Sequence, residues 1–128
     1  MSMIHMDATI VVVEDEAGIL DLLREILEID GHRVYGFTVP DIARIRTAAP
    51  DADLFLLDLM LPGMSGIELA GRLADSFPGC PMIAMSASAT ALAQAQRSAS
   101  FREVLAKPFN LMALLSTVER CLAPAGVP

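Results

Sequence analysis

The amino-acid sequence predicts an α/β fold, in which a doubly wound sheet of five parallel strands lies between two layers of helices. Five short apolar segments alternate with longer stretches of helical periodicity, and this alternation is typical of consecutive βαβ units. Three of the segments are apolar at almost every position, as expected for strands that helices cover on both faces. The length of 128 residues fits one such domain and leaves no room for a second.

The five predicted strands differ in composition, and the difference indicates where each lies in the sheet. They span residues 9–13, 33–37, 54–57, 82–85 and 104–106. The first, third and fourth are nearly all apolar and are expected at the centre of the sheet. The second contains Arg33 and Tyr35, and polar side chains of this kind favour an edge strand.

Three helices are predicted between the first four strands, because apolar residues recur there at helical spacing. The inward-facing residues are Ile19, Leu22, Leu23 and Ile26 in the first helix, and Ile42 and Ile45 in the second, which begins after Pro40. Gly31 ends the first helix, since glycine adopts the left-handed conformation that commonly follows a helix. The third helix is expected over residues 67–77.

The last two helices differ in the strength of their pattern. Residues 89–100 are rich in good helix formers but carry few large apolar side chains. This predicts a marginal helix whose inner face packs only weakly against the rest of the domain. The final helix is clearly indicated, because Asn110 can cap it. Its predicted apolar stripe consists of Leu111, Leu114, Leu115 and Val118.

The pattern places one domain over residues 8–122, between an N-terminal extension of residues 1–7 and a C-terminal tail of residues 123–128. The tail turns to Pro and Gly, which ends the helical pattern. It contains no linker long enough to indicate an attached effector, so we expect output through contacts with other proteins.

Composition excludes several classes of function. The net charge of -7 and the lack of a Lys/Arg cluster do not suit nucleic acid, which is held by concentrated positive charge. No apolar run reaches the roughly 18 residues that cross a bilayer, and the N-terminus lacks a secretory signal, so we expect a cytoplasmic protein without a membrane partner. Cys80 and Cys121 are predicted to be buried thiols, because CxxC spacing is absent. His5 and His32 are predicted to face solvent.

Polar residues interrupt the pattern at the carboxyl ends of four of the five strands. Glu14, Asp15 and Glu16 follow the first strand, Asp58 the third, Ser86 the fourth and Lys107 the fifth. Because the carboxyl ends of parallel strands meet at one edge of the sheet, where ligands bind, we expect these side chains to converge. Lys107 is the only lysine in the sequence.

The expected convergence concentrates negative charge. Two carboxylates about 4 Å apart repel by about 4 kcal/mol at an effective dielectric constant of about 20. Lys107 offsets one charge, and Mg²⁺ is the natural further cation, since it binds carboxylates, water and phosphate oxygens. A carboxylate beside Mg²⁺, an ammonium and a hydroxyl is well arranged to receive a phosphoryl group, because this transfer depends on positioning and charge neutralisation.

Each of these residues taken alone also has a simpler interpretation. An acidic triplet after a strand fits a solvated turn or a helix N-terminus. Serine is common in loops, and a lysine before proline fits a surface position. The combination, in this order and at four strand ends, favours the functional interpretation.

With these motifs, the sequence resembles the receiver domains of bacterial response regulators, the family that includes the single-domain chemotaxis regulators. The matching motifs are VVVEDE (11–16), LLDLMLPGMSG (56–66), MSA (85–87) and KPF (107–109), and the resemblance covers residues 7–122. It implies a flavodoxin-like strand order of 2-1-3-4-5 and a phosphoacceptor in a two-component phosphorelay. Such a domain is not an enzyme with a separate substrate, although it assists its own phosphorylation and dephosphorylation.

The resemblance also implies a role for each site residue. The implied Mg²⁺ ligands are Glu14, Asp15, Asp58 and the backbone carbonyl of Met60. Asp58 would accept the phosphoryl group from a histidine kinase or a histidine phosphotransfer protein. Ser86 would bind the phosphoryl oxygens, with the small Ala87 leaving access to them. Lys107 would pair with the phosphoryl group, and its bond to Pro108 would be cis.

Partners beyond the phosphoryl donor follow from the same resemblance. A downstream protein would contact the face formed by the fourth helix, the fifth strand and the fifth helix. A kinase in a relay and a second copy of the chain, giving a homodimer, are the other classes of partner. The fourth helix is unusually poor in charge, which predicts an atypical partner surface.

The chain departs from the family pattern at several positions. The family usually has an aromatic residue three positions before the lysine, whose rotation reports phosphorylation, but Val104 stands there. Phe101 is the nearest aromatic candidate for that role. Met60 and Ser88 occupy the two variable positions that tune hydrolysis of the phosphoryl group. Neither orients water strongly, which predicts a long-lived phosphorylated state.

Three other functions are left open by the residues. A flavodoxin-like cofactor binder shares the layout, but its first loop accepts phosphate, which Glu14, Asp15 and Glu16 would repel. A metal-dependent aspartyl phosphatase uses a similar cluster but carries a second Asp where this chain has Met60. The third is a phosphorylation-independent interaction domain, which would keep its partner binding and output after Asp58→Asn.

Overall fold

The computed structural model describes residues 7–123 and shows five strands that alternate with five helices. The elements in chain order are β1 (Thr9–Val13), α1 (Ala17–Ile29), β2 (Arg33–Phe37), α2 (Ile42–Ala48), β3 (Leu54–Asp58), α3 (Gly66–Ser76), β4 (Met82–Ser86), α4 (Ala89–Arg97), β5 (Glu103–Ala106) and α5 (Leu111–Leu122). His5, most of the predicted N-terminal extension and most of the predicted tail lie outside the described residues.

All five strands are parallel and lie in the order β2-β1-β3-β4-β5, which confirms the predicted doubly wound sheet and its strand order. The predicted edge position of β2 is also confirmed. Asp58 pairs with Met85 and Ser86 pairs with Ala106, so the ends of β3, β4 and β5 lie side by side. This register brings the residues that follow these strands to one edge of the sheet.

The two faces of the sheet carry separate cores, because successive side chains of a strand point to opposite faces. On one face, Ile10 and Val12 pack with buried residues of α1 and α5. On the other face, Val11 and Val13 pack with buried residues of α2 and α3. The central strand β1 is therefore covered on both sides, as its composition predicted.

Helix α4 is packed more sparsely than α1, α3 and α5, which bury three or four residues each. Of its nine residues, Ala95 alone is buried. Ala95 packs with Leu59 and Ala84 in a small cluster that the partly buried Leu92 and Phe101 extend. This agrees with the weakly packed inner face that the composition predicted.

The predicted inner faces of α1 and α5 were wrong at one position each. In α1 the buried residues are Leu20, Leu23 and Leu27, whereas Leu22 is 56% exposed. Leu20, Leu23 and Leu27 lie within about 60° of one another around the helix, and Leu22 lies about 100° outside that arc. In α5, Leu111, the first residue of the helix, is 51% exposed.

The prediction for His32 was also wrong, because its side chain is buried. Gly31, with a φ of 100°, turns the chain from α1 directly into β2. The backbone N–H of His32 donates to the carbonyl of Leu27 at 3.1 Å, which holds the residue against the helix. Its Nε2 lies 3.3 Å from a carboxylate oxygen of Asp30.

The predicted buried thiols are confirmed for Cys121 and in part for Cys80, which is half-buried, and both cysteines are free. Burial raises the pKa of Cys80 to about 12 and that of Cys121 to about 11. Among residues 7–123, none of the helices has the length and apolar character needed to cross a membrane.

Candidate functional site

The site lies at the carboxyl edge of the sheet, where the structure brings together the residues that follow β1, β3 and β5. The ammonium of Lys107 lies 2.5 Å from Oε1 of Glu14 and 3.3 Å from Oδ2 of Asp58. Strand order causes this meeting, since β1 and β3 are neighbours and the end of β5 lies beside that of β4. The convergence predicted for Glu14, Asp58 and Lys107 is therefore observed.

Three carboxylates form one cluster at this edge. Oxygen atoms of Glu14, Asp15 and Asp58 all lie within 4.8 Å of one another. Glu14 and Asp58 are buried, whereas Asp15 is exposed. Such a set of hard oxygen donors, balanced by a single ammonium and open to water on the Asp15 side, fits Mg²⁺, which is usually held by few carboxylates and keeps several waters.

Glu14 and Lys107 influence each other's protonation. Burial raises the pKa of Glu14, against the opposing effects of the hydrogen bonds from Lys107 and from the backbone N–H of Glu16. Burial by itself would lower the pKa of Lys107, but its hydrogen bond to Glu14 and the charge of Asp58 outweigh that effect and raise it. Lys107 therefore remains a cation at neutral pH, held between two carboxylates.

Asp58 is fixed by its own loop. The backbone N–H of Met60 donates to Oδ1 of Asp58 at 2.9 Å, and the N–H of Gly66 donates to the carbonyl of Leu59 at 3.0 Å. A Cβ atom at Gly66 would lie 2.5 Å from the carbonyl oxygen of Asp58, so this close approach requires glycine. The side chain of Met60 is largely exposed beside the site.

Ser86 ends β4 and is buried. Its Oγ accepts a hydrogen bond from the backbone N–H of Ser88 at 3.0 Å, and its carbonyl accepts one from the N–H of Lys107 at 2.9 Å. Ala87 is exposed next to it, and the bond between Lys107 and Pro108 is cis, as predicted. The hydroxyl is thus held in place at the edge that carries Asp58.

Two features of the site were not predicted from the sequence. The backbone N–H of Glu16, rather than its side chain, contributes by donating to Oε2 of Glu14 at 3.2 Å. Ser88 caps α4, with its Oγ accepting from the N–H of Ala91 at 3.1 Å. A serine directly before a run of good helix formers was the available signal for this cap.

Val104, at the position where an aromatic residue was expected, is partly buried in the small cluster that contains Leu59, Ala84 and Ala95. Phe101 joins the same cluster from the segment that precedes β5. It therefore approaches α4 from the end of β5 opposite to Lys107. The role predicted for Phe101 stays a prediction.

Comparison with known proteins places this geometry in a family. Residues 10–119 match the family model described as the response regulator receiver domain. The phosphate regulon transcriptional regulatory protein PhoB of Rhizobium meliloti is 36% identical over 119 residues, which are 91% of this chain and 52% of PhoB. The DNA-binding transcriptional regulator NtrC of Azospirillum brasilense is 34% identical over 128 residues, 94% of this chain and 26% of NtrC. The chain thus spans about half or less of these relatives.

Solved structures show the same fold. The response regulator TrrA of Thermotoga maritima, in complex with Mg²⁺ and BeF, is 29% identical with a TM-score of 0.79, covering 90% of this chain and 99% of TrrA. The chemotaxis response regulator CheY4 of Vibrio cholerae has a TM-score of 0.80 at 22% identity, covering 91% of this chain and 100% of that chain. At that identity, CheY4 supports the fold alone.

Proposed function

Because this chain belongs to the response regulator receiver domain family, whose members are signalling phosphoacceptors in two-component systems, we propose that Asp58 is the residue that accepts the phosphoryl group. The observation that carries the proposal is the meeting of Glu14, Asp58 and the sole lysine, Lys107, at one edge of the sheet. In this arrangement a buried carboxylate stands beside further negative charge and one fixed cation, which favours binding of a metal and transfer of a phosphoryl group.

The proposed cofactor is Mg²⁺. Glu14, Asp15, Asp58 and the backbone carbonyl of Met60 would hold it, and when bound it neutralises charge on the phosphoryl oxygens. The clustered carboxylates support this assignment, as does the complex of the similar Thermotoga maritima protein with Mg²⁺ and BeF.

In the proposed transfer, a carboxylate oxygen of Asp58 forms a bond to the phosphorus of a phosphohistidine on the donor. The bond from phosphorus to the imidazole nitrogen breaks, and the imidazole keeps that electron pair and later takes a proton from water. The N–H of Met60 holds Oδ1 of Asp58 in place, and Lys107 pairs with the incoming negative charge. The hydroxyl of Ser86 donates to a phosphoryl oxygen.

The donor in this proposal is a histidine kinase or a histidine phosphotransfer protein in the cytoplasm. The phosphorylated chain signals by contact between the face of α4, β5 and α5 and a downstream protein or a second copy of the chain. It turns over no separate substrate but assists its own phosphorylation and dephosphorylation. Since Met60 and Ser88 orient water poorly, the phosphorylated state is long-lived.

Intact-mass measurement after incubation with acetyl phosphate and Mg²⁺ tests the proposal. Wild type should gain the mass of one phosphoryl group, and Asp58→Asn should gain none. Asp51→Asn, an exposed aspartate before β3, is the matched control and should be modified like wild type. Modification that persists in Asp58→Asn, or its absence from wild type, would overturn the assignment.

A further inference from the structure

Strand β2 forms one edge of the sheet and pairs with β1 alone. The backbone N–H of Arg33 and the carbonyl of Phe37 bond to the two residues that flank β1, at 2.8 and 3.0 Å. Because successive residues of a strand direct their backbone groups to opposite sides, Val34 and Gly36 direct theirs away from β1. Gly36 is the more accessible of the two, since Val34 is buried. Its N–H and C=O therefore face the side on which a further strand could pair.

Three arginines surround this edge, and none of them forms an ion pair within residues 7–123. Arg24 reaches from α1 over Gly36, where its Nη2 lies 2.8 Å from the position that a Cβ atom would take. Arg44 lies beside Phe37 on the α2 side of the sheet, and Arg33 is exposed at the start of the strand. A chain with a net charge of -7 thus gathers unpaired cations at this edge.

The guanidinium of Arg24 is incompletely paired. Its Nε atom is buried and has no hydrogen-bond partner in the part of the chain that the structure describes. Buried donors are normally satisfied, so a group in this state indicates an acceptor that the chain itself does not supply. An acidic side chain that came alongside Gly36 would meet this guanidinium, because Nη2 already lies over that residue.

The other edge of the sheet, at β5, differs in charge. Arg120 of α5 donates to Glu103 of β5 at 3.2 Å, so the cation beside that edge is neutralised within the chain. Edge strands commonly carry proline or several charges that discourage further pairing. Strand β2 has no proline, and Arg33 is its single charged residue. The β2 edge therefore favours a strand of opposite charge more than it resists pairing in general.

A groove of about 390 Å³ lies next to β2 on the α2 side of the sheet. Added strands gain affinity from backbone hydrogen bonds and specificity from pockets that accept every second side chain. The lining of this groove is mostly apolar, with Arg44 as its charged member, and consists of Phe37, Ala43, Arg44, Thr47 and Ala48. It suits an apolar side chain of an added strand, while the next side chain along that strand points to Arg24 on the opposite face.

We propose that the β2 edge is a docking site for an extended acidic segment of another protein, which adds to the sheet as a sixth strand. The site does not depend on phosphorylation of Asp58. Residues 1–6 and 124–128 contain no Asp or Glu, so the ends of this chain do not supply the acidic segment. A second copy paired through its own β2 would place the same arginines on both sides of the junction, where like charges repel.

The test is an NMR titration of the full chain with a capped hexapeptide of alternating Glu and Val. Binding should shift the amides of residues 33–38 and slow hydrogen exchange at Gly36 about fivefold at saturation, because its N–H gains an acceptor. The same peptide with Lys in place of Glu should bind at least about tenfold more weakly. The Glu peptide with alternate backbone nitrogens methylated lacks the donors of a strand and should not protect Gly36.

Variants check the assigned charges. Arg24→Gln should weaken binding of the Glu peptide about fivefold, and Arg44→Gln should weaken it about threefold, because Arg44 lies at the rim of the groove. Arg97→Gln is the matched control. Arg97 is an exposed arginine of α4, which packs near β4 and β5, and it also forms no ion pair within residues 7–123. This variant should bind the peptide like wild type.

Each outcome bears on the proposal. Absence of shifts at residues 33–38 with millimolar Glu peptide would overturn it. Equal binding by the methylated peptide, or equal weakening in Arg97→Gln, would show attraction of charge without strand addition and would also overturn it. Protection of Gly36 that rises with protein concentration in the absence of peptide would assign the edge to a second copy instead of an acidic partner.

Discussion

Helices α4 and α5 both contact β5, yet the chain holds them very differently. Helix α5 buries Leu114, Thr117, Val118 and Cys121, whereas α4 buries Ala95 alone. Asp58 ends β3, whose five residues are all buried, and Lys107 lies between β5 and α5, so both residues stand in a firmly packed region formed by the strands with α1 and α5. A weakly held helix can therefore respond to a small change at the site while the site itself stays rigid.

The contrast should appear most strongly when one leucine of each helix is shortened. Leu114→Ala removes a fully buried side chain and should lower the free energy of unfolding by about 3 kcal/mol. Leu92→Ala removes a partly buried side chain of α4 and should lower it by about 1 kcal/mol. Urea denaturation measures both values, and equal losses would show that α4 is packed as firmly as α5.

The firmly packed region should extend to the loop that follows Asp58 and leads into α3 at Gly66. Gly66→Ala places a Cβ 2.5 Å from the carbonyl oxygen of Asp58 and should lower the free energy of unfolding by about 2 kcal/mol. Because the backbone of Asp58 must then move, phosphorylation by acetyl phosphate should also slow severalfold. Urea denaturation and timed intact-mass measurements test these two effects.

Gly71→Ala is the control for that substitution, since nothing lies within 4 Å of its Cβ position in α3. There the change should raise the free energy of unfolding by about 0.7 kcal/mol, because alanine favours a helix interior over glycine. If Gly66→Ala also raised the free energy of unfolding, the loop could move to accept a Cβ atom and would not be part of the firmly packed region.

The sheet and most of the site were predictable because the same residues encode both. Uninterrupted apolar runs indicate strands covered on both sides, and their ends are marked by Glu14, Asp58, Ser86 and Lys107. Parallel strand order then forces these ends to one edge. The strand positions and the meeting of Lys107 with the two carboxylates follow from this logic alone.

What escaped prediction depends on side-chain direction and on contacts remote in sequence. Helical spacing allows either Leu20 or Leu22 to face inward. In the structure Leu20 is the one that packs against the sheet. His32 is buried by a turn whose tightness becomes visible only when β2 is paired with β1. The bond from Ser88 to Ser86 is likewise a matter of rotamer, which composition does not specify.

Binding of Mg²⁺ should stabilise the firmly packed region, because its proposed ligands lie there. It relieves repulsion among the carboxylates, so Mg²⁺ at ten times its dissociation constant should raise the free energy of unfolding by about 1.4 kcal/mol. Asp15→Asn should abolish most of that gain, whereas Asp21→Asn, an exposed acid in α1, should keep it. Urea denaturation with and without Mg²⁺ measures the gain, and an equal gain in Asp15→Asn would contradict the site.

The smallest expected effect concerns Cys121, whose thiol lies in the buried stripe of α5. Burial raises its pKa to about 11, whereas the pKa of a cysteine in the unfolded chain is about 8.5. Between these values the folded state holds the proton more tightly than the unfolded state, so stability is full at pH 7 and falls as pH rises. For this thiol the loss by pH 9 should be at most about 0.8 kcal/mol.

Comparing wild type with Cys121→Ala over that pH range isolates this contribution, because the other titrating groups are the same in both proteins. The variant should lose less stability between pH 7 and pH 9, whatever its starting value. Alkylation of the native protein at pH 8 should also be slower at Cys121 than at the half-buried Cys80, since α5 must open first. Faster alkylation at Cys121 would mean that α5 opens readily, and the contrast with α4 would then be lost.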